Sequence, residues 1–208
     1  MEKHLKEMPA EFKTRILNYR RWQDVQLSIL GRLQLLTGLK RLGIRADLHE
    51  ISYNEYSKPV FKDCPVRFSI SHSENLVVCA LSLDAREIGI DIEFISEIQT
   101  LEFKNHLTQR EWNQLISSHD KISTFYKYWT KKESILKAYG KGILIPLNSL
   151  DVTSDWIDLH NIQYNCKEIK IDPFYQCHVA SSRDLDEIPI ELSELTLSHL
   201  NTPYSFIY

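Results

Sequence analysis

The 208-residue sequence predicts an α+β fold. Three observations carry that reading. Stretches with apolar residues at three- and four-residue steps open the chain and return near its middle, which is helical spacing. Short segments of alternating apolar and polar residues lie between and after them, which is strand spacing. Tight polar turns join those short segments, unlike the regular strand–helix–strand alternation of a doubly wound parallel sheet.

Residues 10–42 predict helix in two pieces, with Trp22, Val25, Ile29, Leu33 and Leu36 as its apolar stripe and Gly43 as its stop. "HEISYNEYSKPVF" predicts a strand broken at Ser57-Lys58-Pro59, because Pro59 has no amide hydrogen and holds Lys58 extended. "VRFSISHSENLVVCALSL" reads as two strands around a polar turn at Ser71 to Asn75. "EIGIDIEFI" follows as a third strand, giving a meander. Residues 98–118 and 120–139 predict helices, the second stopped by Gly140 and Gly142. "NIQYNCKEIKI" and "YQCHVASS" read as strands, and the tail is weakly patterned.

Composition narrows the class. The chain is 43% hydrophobic and 25% charged, with a formal net charge of −3. That balance gives no bulk attraction for nucleic acid or an anionic membrane, both polyanions. The opening "MEKHLKEMPAEF" is too charged for a signal peptide, and no apolar run approaches membrane-spanning length. Cys64, Cys79, Cys166 and Cys177 form no C-x-x-C pair and read as reduced, packed thiols of a cytoplasmic protein.

The chemistry gathers in three places. In "IGIDIE", Ile88, Ile90 and Ile92 alternate with Gly89, Asp91 and Glu93, so two carboxylates share one strand face. They repel unless something positive sits between them; an exposed face of an antiparallel sheet and a metal site explain them equally well. In "FYKYWTKKESILKAYG", Glu133 and Lys137 stand about 40° apart at the rim of a stripe made by Phe125, Trp129 and Leu136. Alone they read as a solvated i,i+4 pair. Ser71, His72 and Ser73 offer several hydrogen-bond donors together, and Lys58 precedes a rigid proline. Each of these is ordinary alone. Magnesium, which takes one or two carboxylates together with phosphate oxygens, would unite them.

These pieces resemble, in order, the signature of the 4′-phosphopantetheinyl transferases. That signature is G-[IV]-D, a gap near forty residues, then [FW]-[SCT]-x-K-E-[SA]-x-x-K. Gly89, Ile90 and Asp91 fill its first part; Trp129, 38 positions after Asp91, opens the second, with Thr130, Lys132, Glu133, Ser134 and Lys137. "YSKP" and "FSISHS" resemble the family's Y-G-K-P and F-N-I-S-H-S elements. The likeness runs from about residue 12 to 150 and is greatest to the surfactin-synthetase-activating branch.

The resemblance implies transfer of the phosphopantetheine arm of coenzyme A to a serine of an apo acyl or peptidyl carrier protein, releasing adenosine 3′,5′-bisphosphate. It implies Mg²⁺, or Mn²⁺, held by Asp91, Glu93 and Glu133, with Glu133, Lys137 and His72 as the catalytic set. Lys58, Ser71, His72, Ser28, Lys132 and Lys137 would contact the coenzyme, with Lys13 and Arg15 near further basic positions. It implies a pseudo-twofold pair of similar α+β halves, residues 1–86 on the nucleotide side and 87–208 with the metal site, so that a monomer completes its own cleft. Phe103, Leu107 and Trp112, beside Lys104 and Arg110, are where the carrier would dock, with core packing an equal explanation of the apolar three. Other Mg²⁺-dependent nucleotide phosphotransferases or hydrolases, and a non-catalytic carrier- or coenzyme-binding homologue, are the alternatives. Two departures stand out. No short apolar strand precedes Ala10, and the family's glycines are replaced by Ser57 and Glu74.

Overall fold

A computed structural model of the chain describes residues 8–84, 87–196 and 203–207. Helices α1 (Ala10–Ile16) and α2 (Trp22–Arg41) open it, followed by the short antiparallel pair β1 (Ile51–Tyr53) and β2 (Pro59–Phe61). The hairpin of β3 (Arg67–Ser73) and β4 (Leu76–Ser82) comes next, then β5 (Ile88–Phe94). Helices α3 (Gln109–Ser117) and α4 (Lys121–Tyr139) follow a 3₁₀ turn at Thr100–His106. The strands β6 (Trp156–Leu159), β7 (Ile162–Glu168) and β8 (Tyr175–Ser181) complete an antiparallel sheet of order β5-β8-β7-β6. A last hairpin pairs β9 (Leu192–Thr196) with β10 (Pro203–Ile207).

Two layers of helix on strand result, as the α+β reading requires. In the first, α1, α2 and the β3–β4 hairpin bury Phe12, Ile16, Ile29, Leu35, Leu39 and Phe68. In the second, α4 and the four-stranded sheet bury Phe125, Ile135, Leu136, Tyr164 and Ala180. A third cluster spans both layers, joining Val78 and Ala80 of β4 to Ile88, Ile90 and Ile92 of β5 and to Cys177 and Val179 of β8. The isoleucines of "IGIDIE" therefore face a core.

Helix boundaries follow local chemistry. Asp120 caps α4 by accepting from the Ser123 amide at 2.9 Å, and Gly140 ends it in the left-handed conformation at φ 73°. Thr108 and Glu111 form a reciprocal capping box on α3. Gly89 has another purpose: a Cβ there would meet the Ser134 carbonyl oxygen at 2.0 Å and the Ala138 nitrogen at 2.4 Å. Its missing side chain lets β5 lie directly against the backbone of α4.

Several expectations change. The meander stops at the β3–β4 hairpin, because β5 forms its ladder with β8, Asp91 opposite His178. Ser71, His72 and Ser73 are not in a turn: pairing continues to Ser73 opposite Leu76, leaving a turn of only Glu74 and Asn75. Ser57 and Glu74, where the family has glycine, take φ of 65° and 48°, the conformation a glycine adopts most easily. On α2 the predicted stripe is widened: Ile29 is buried and Val25, Leu33 and Leu36 pack against the core, Trp22 alone is exposed, and Leu27, Leu30, Leu35 and Leu39 are buried as well, because the helix packs on two clusters. The strand β6 was not foreseen. The segment before Ala10 lies almost wholly outside the described residues, as does the expected boundary at residue 86. Among the described residues, no helix is long and apolar enough to cross a membrane.

Candidate active site

A cleft of about 650 Å³ opens between the first layer and the cleft face of α4. Tyr53, Lys58, Phe68 and His72 line one wall, and Trp129, Glu133, Leu136 and Lys137 the other. The α4 stripe predicted from periodicity is what the structure shows, with Phe125 and Leu136 buried and Glu133 and Lys137 half-buried at its rim.

β3 and β5 run alongside each other in the same direction without a backbone ladder. Serine side chains join them instead. Ser69 Oγ accepts from the Ile90 amide at 3.1 Å, and Ser73 Oγ accepts from the Phe94 amide at 3.0 Å. Ser71 Oγ donates to Asp91 Oδ1 at 2.9 Å, and Ser73 Oγ donates to Glu93 Oε2 at 2.8 Å. Since β-strand side chains alternate, the three serines share this seam while His72 turns to the cleft.

Lys137 closes the arrangement from α4. Its Nζ donates to Asp91 Oδ1 at 2.6 Å and to Ser71 Oγ at 2.8 Å. Asp91 Oδ2 is buried and has no hydrogen-bond partner among the described residues. Burial, and then the charge of Asp91, push the Glu133 carboxyl above the usual carboxylate range, with Lys137 opposing. Burial raises Glu93 as well, followed by Asp91, while the hydrogen bond from Ser73 lowers it. Glu93 and Glu133 thus both feel the Asp91 charge. His72 is held below the ordinary imidazole range, first by burial and next by the Lys137 charge, so it is neutral at pH 7.

No group of three or more His, Cys, Asp or Glu side chains among the described residues is gathered as a ready metal cage. Magnesium does not require one; it keeps several waters and takes one or two carboxylates with substrate phosphates. An orphaned, buried carboxylate oxygen beside two acids of raised affinity for protons is a donor set that fits such a hard cation.

The remaining predicted residues divide. Ser28 and Arg15 line the cleft, the Arg15 guanidinium lying 4.9 Å over the Tyr53 ring. Lys58 lines it too, but its Nζ donates to Glu87 Oε2 at 2.5 Å and to the Ala138 carbonyl at 2.8 Å, and burial lowers its pKa. Ser71 points at Asp91 and Lys137. Lys132 is turned away from the cleft altogether: fully buried, its Nζ lies 2.8 Å from Glu111 Oε2 and donates to the carbonyls of Leu147 and Leu150. A coenzyme contact for Lys132 is therefore corrected to an internal one. Glu111, which sequence reasoning missed, also accepts from the Val152 and Thr108 amides. Its signal was the Thr108-x-x-Glu111 capping-box pattern. Among the proposed carrier anchors, Leu107 and Trp112 are buried in the core and Phe103 packs against it, leaving Leu101 as the exposed apolar residue of that stretch.

Fold and site together define a class: an α+β cleft protein whose helix sets a glutamate and a lysine against two strand carboxylates. A model of the 4′-phosphopantetheinyl transferase superfamily matches residues 87–192. The chain is 40% identical over 144 residues to 4′-phosphopantetheinyl transferase gsp of Aneurinibacillus migulanus, a stretch covering 68% of this chain and 57% of that protein. It is 31% identical over 173 residues to 4′-phosphopantetheinyl transferase Sfp of Bacillus subtilis (strain 168), covering 77% and 75%. This chain belongs to the 4′-phosphopantetheinyl transferase superfamily.

Proposed function

We propose that the chain transfers the 4′-phosphopantetheine moiety of coenzyme A to a serine of an apo acyl or peptidyl carrier protein, with Mg²⁺ and with release of adenosine 3′,5′-bisphosphate. The observation that carries this reading is the meeting of Asp91, Lys137 and Ser71 within 2.9 Å at a cleft also lined by Glu133 and His72. The cleft volume lies in the range of small-molecule and cofactor sites. The family membership and the names of both relatives support it.

Asp91, Glu93 and Glu133 are the residues that would hold the cation. When bound, the metal supplies Lewis-acid withdrawal of charge from the pyrophosphate. Glu133, whose carboxyl is raised by burial and Asp91, is a better proton acceptor than a free glutamate and takes the carrier-serine proton. The Lys137 ammonium offsets negative charge on phosphate oxygens facing the cleft. Neutral His72 contributes a hydrogen bond rather than a charge, and Ser28 and Lys58 stand along the same cleft for the nucleotide portion. The two-layer arrangement supports assigning the nucleotide side to residues before about 86 and the metal side to those after. Four unpaired cysteines suit a cytoplasmic location.

The test is incubation with coenzyme A, Mg²⁺ and a panel of apo carrier proteins, read by intact mass. A phosphopantetheine adduct is expected, and Glu133→Gln is expected to remove most of it. No adduct on any carrier overturns the proposal, while coenzyme A hydrolysis without a carrier points to a different Mg²⁺-dependent activity.

A further inference from the structure

The serines of β3 do more than join two strands. Ser73 Oγ receives the Phe94 amide hydrogen at 3.0 Å, so its own hydrogen is directed to Glu93 Oε2 at 2.8 Å. The backbone of β5 thereby fixes the rotor of the hydroxyl that fixes the carboxylate carried one residue earlier. Ser71 acts in parallel two residues away: it donates to Asp91 Oδ1, the oxygen Lys137 also binds, so Oδ2 alone is left without a partner. Both carboxylates are thus held through one named oxygen each. Carboxylates that ligate metals are themselves oriented by such outer hydrogen bonds, whose loss typically weakens metal affinity by about 10- to 100-fold.

We infer that Ser71 and Ser73 are positioning residues, which aim the Asp91 and Glu93 carboxylates at a divalent cation. This rests on the proposed metal role of those two acids. It assigns Ser71 a task other than contacting the nucleotide, and it assigns Ser73 a task where none had been recognised.

Ser73 gives the cleaner test, because Ser71 also touches Lys137. Mn²⁺ is titrated into the full chain and free ion is followed by electron paramagnetic resonance, with Asp91→Asn as the site control. Ser73→Ala is expected to weaken Mn²⁺ binding about tenfold. Ser73→Thr and Ser73→Val have nearly the same shape and differ by the hydroxyl, so Thr is expected to keep most of the affinity and Val to lose it. Equal Mn²⁺ affinity of folded Thr and Val variants overturns the inference while leaving the metal site standing. A wild-type chain with no Mn²⁺ site sensitive to Asp91→Asn overturns the metal reading, and this inference with it.

Discussion

Gly89 offers the sharpest perturbation. A methyl group there would lie 2.0 Å from the Ser134 carbonyl oxygen and 2.4 Å from the Ala138 nitrogen, whereas ordinary contact begins at 3.4 Å. The overlap is about 1.4 Å, and it is with helix backbone, which no rotamer change relieves. Either α4 moves off β5 by about 1 Å or β5 bends. Overpacking of this kind costs about 1–3 kcal/mol, and with backbone on both sides Gly89→Ala should fall near 3 kcal/mol. The same displacement moves Glu133 and Lys137 against Asp91, and a misplacement of about 1 Å costs roughly 100-fold in rate. Denaturant unfolding measures the first quantity and mass-detected carrier loading the second. Gly31→Ala is the control. Its Cβ would meet the Ile70 Cγ2 methyl at 2.6 Å, a side-chain contact on a β-branched residue that is stiff at χ1, and alanine regains about 1 kcal/mol of helix propensity. Overpacking of about 1–3 kcal/mol less that gain leaves a net cost of about 0–2 kcal/mol, below that of Gly89→Ala. If Gly89→Ala keeps wild-type stability and loading rate, the close strand–helix contact does not position the site.

Two further outcomes follow from buried charge. Glu111→Gln leaves the Lys132 ammonium uncompensated at a fully buried site and should destabilise by about 3–5 kcal/mol, whereas Glu111→Gln with Lys132→Met should recover much of that; thermal unfolding of both variants decides it. His178 is pushed down to about 3, mainly by burial, so the folded chain holds it neutral while the unfolded chain protonates it near 6.5. The unfolded state then binds more protons between those values, and stability falls as pH drops through that window. The loss approaches about 2.7 kcal/mol at pH 4.5. Glu93 and Glu133, raised above the usual carboxylate range, gain relative stability on acidification, so the comparison is wild type against His178→Gln across pH. A variant curve as steep as wild type refutes the assignment.

Much of the site was legible because its chemistry obeys local periods. The two-residue spacing put Asp91 and Glu93 on one face, and the helical angle put Glu133 and Lys137 at the rim of the Phe125 stripe; both geometries are present. What failed was non-local. No spacing within "IGIDIE" shows that β5 pairs with β8, more than eighty residues later, instead of with the adjacent β4. Polar composition in "SISHS" suggested a turn, since serines favour turns. Here their hydroxyls substitute for the strand ladder that β3 and β5 do not make. The motif lysine at 132 invited a ligand role by its neighbours, yet helical geometry turns it about 100° from Glu133, into the core where Glu111 waits. Around the expected docking stretch, sequence could not separate Leu107, which is buried, from Leu101, which is exposed, because Leu101 lies in a 3₁₀ turn and Leu107 is the residue just past its end, with no clear period to tell them apart.

The hydroxyl seam has a bearing on how such a protein changes over generations. A ladder of backbone hydrogen bonds is open to every residue type but proline, so most substitutions leave its bonds unedited. A junction made of Ser69, Ser71 and Ser73 can be edited, one residue at a time, with alanine, threonine or asparagine as neighbouring steps. A step at Ser69 alters the grip between the two layers, and a step at Ser71 or Ser73 alters that grip and the hold on a carboxylate together. With the metal role proposed for Asp91 and Glu93, drift at Ser71 and Ser73 is seen by selection twice, once as folding and once as cation affinity, and neither trait is free to evolve alone.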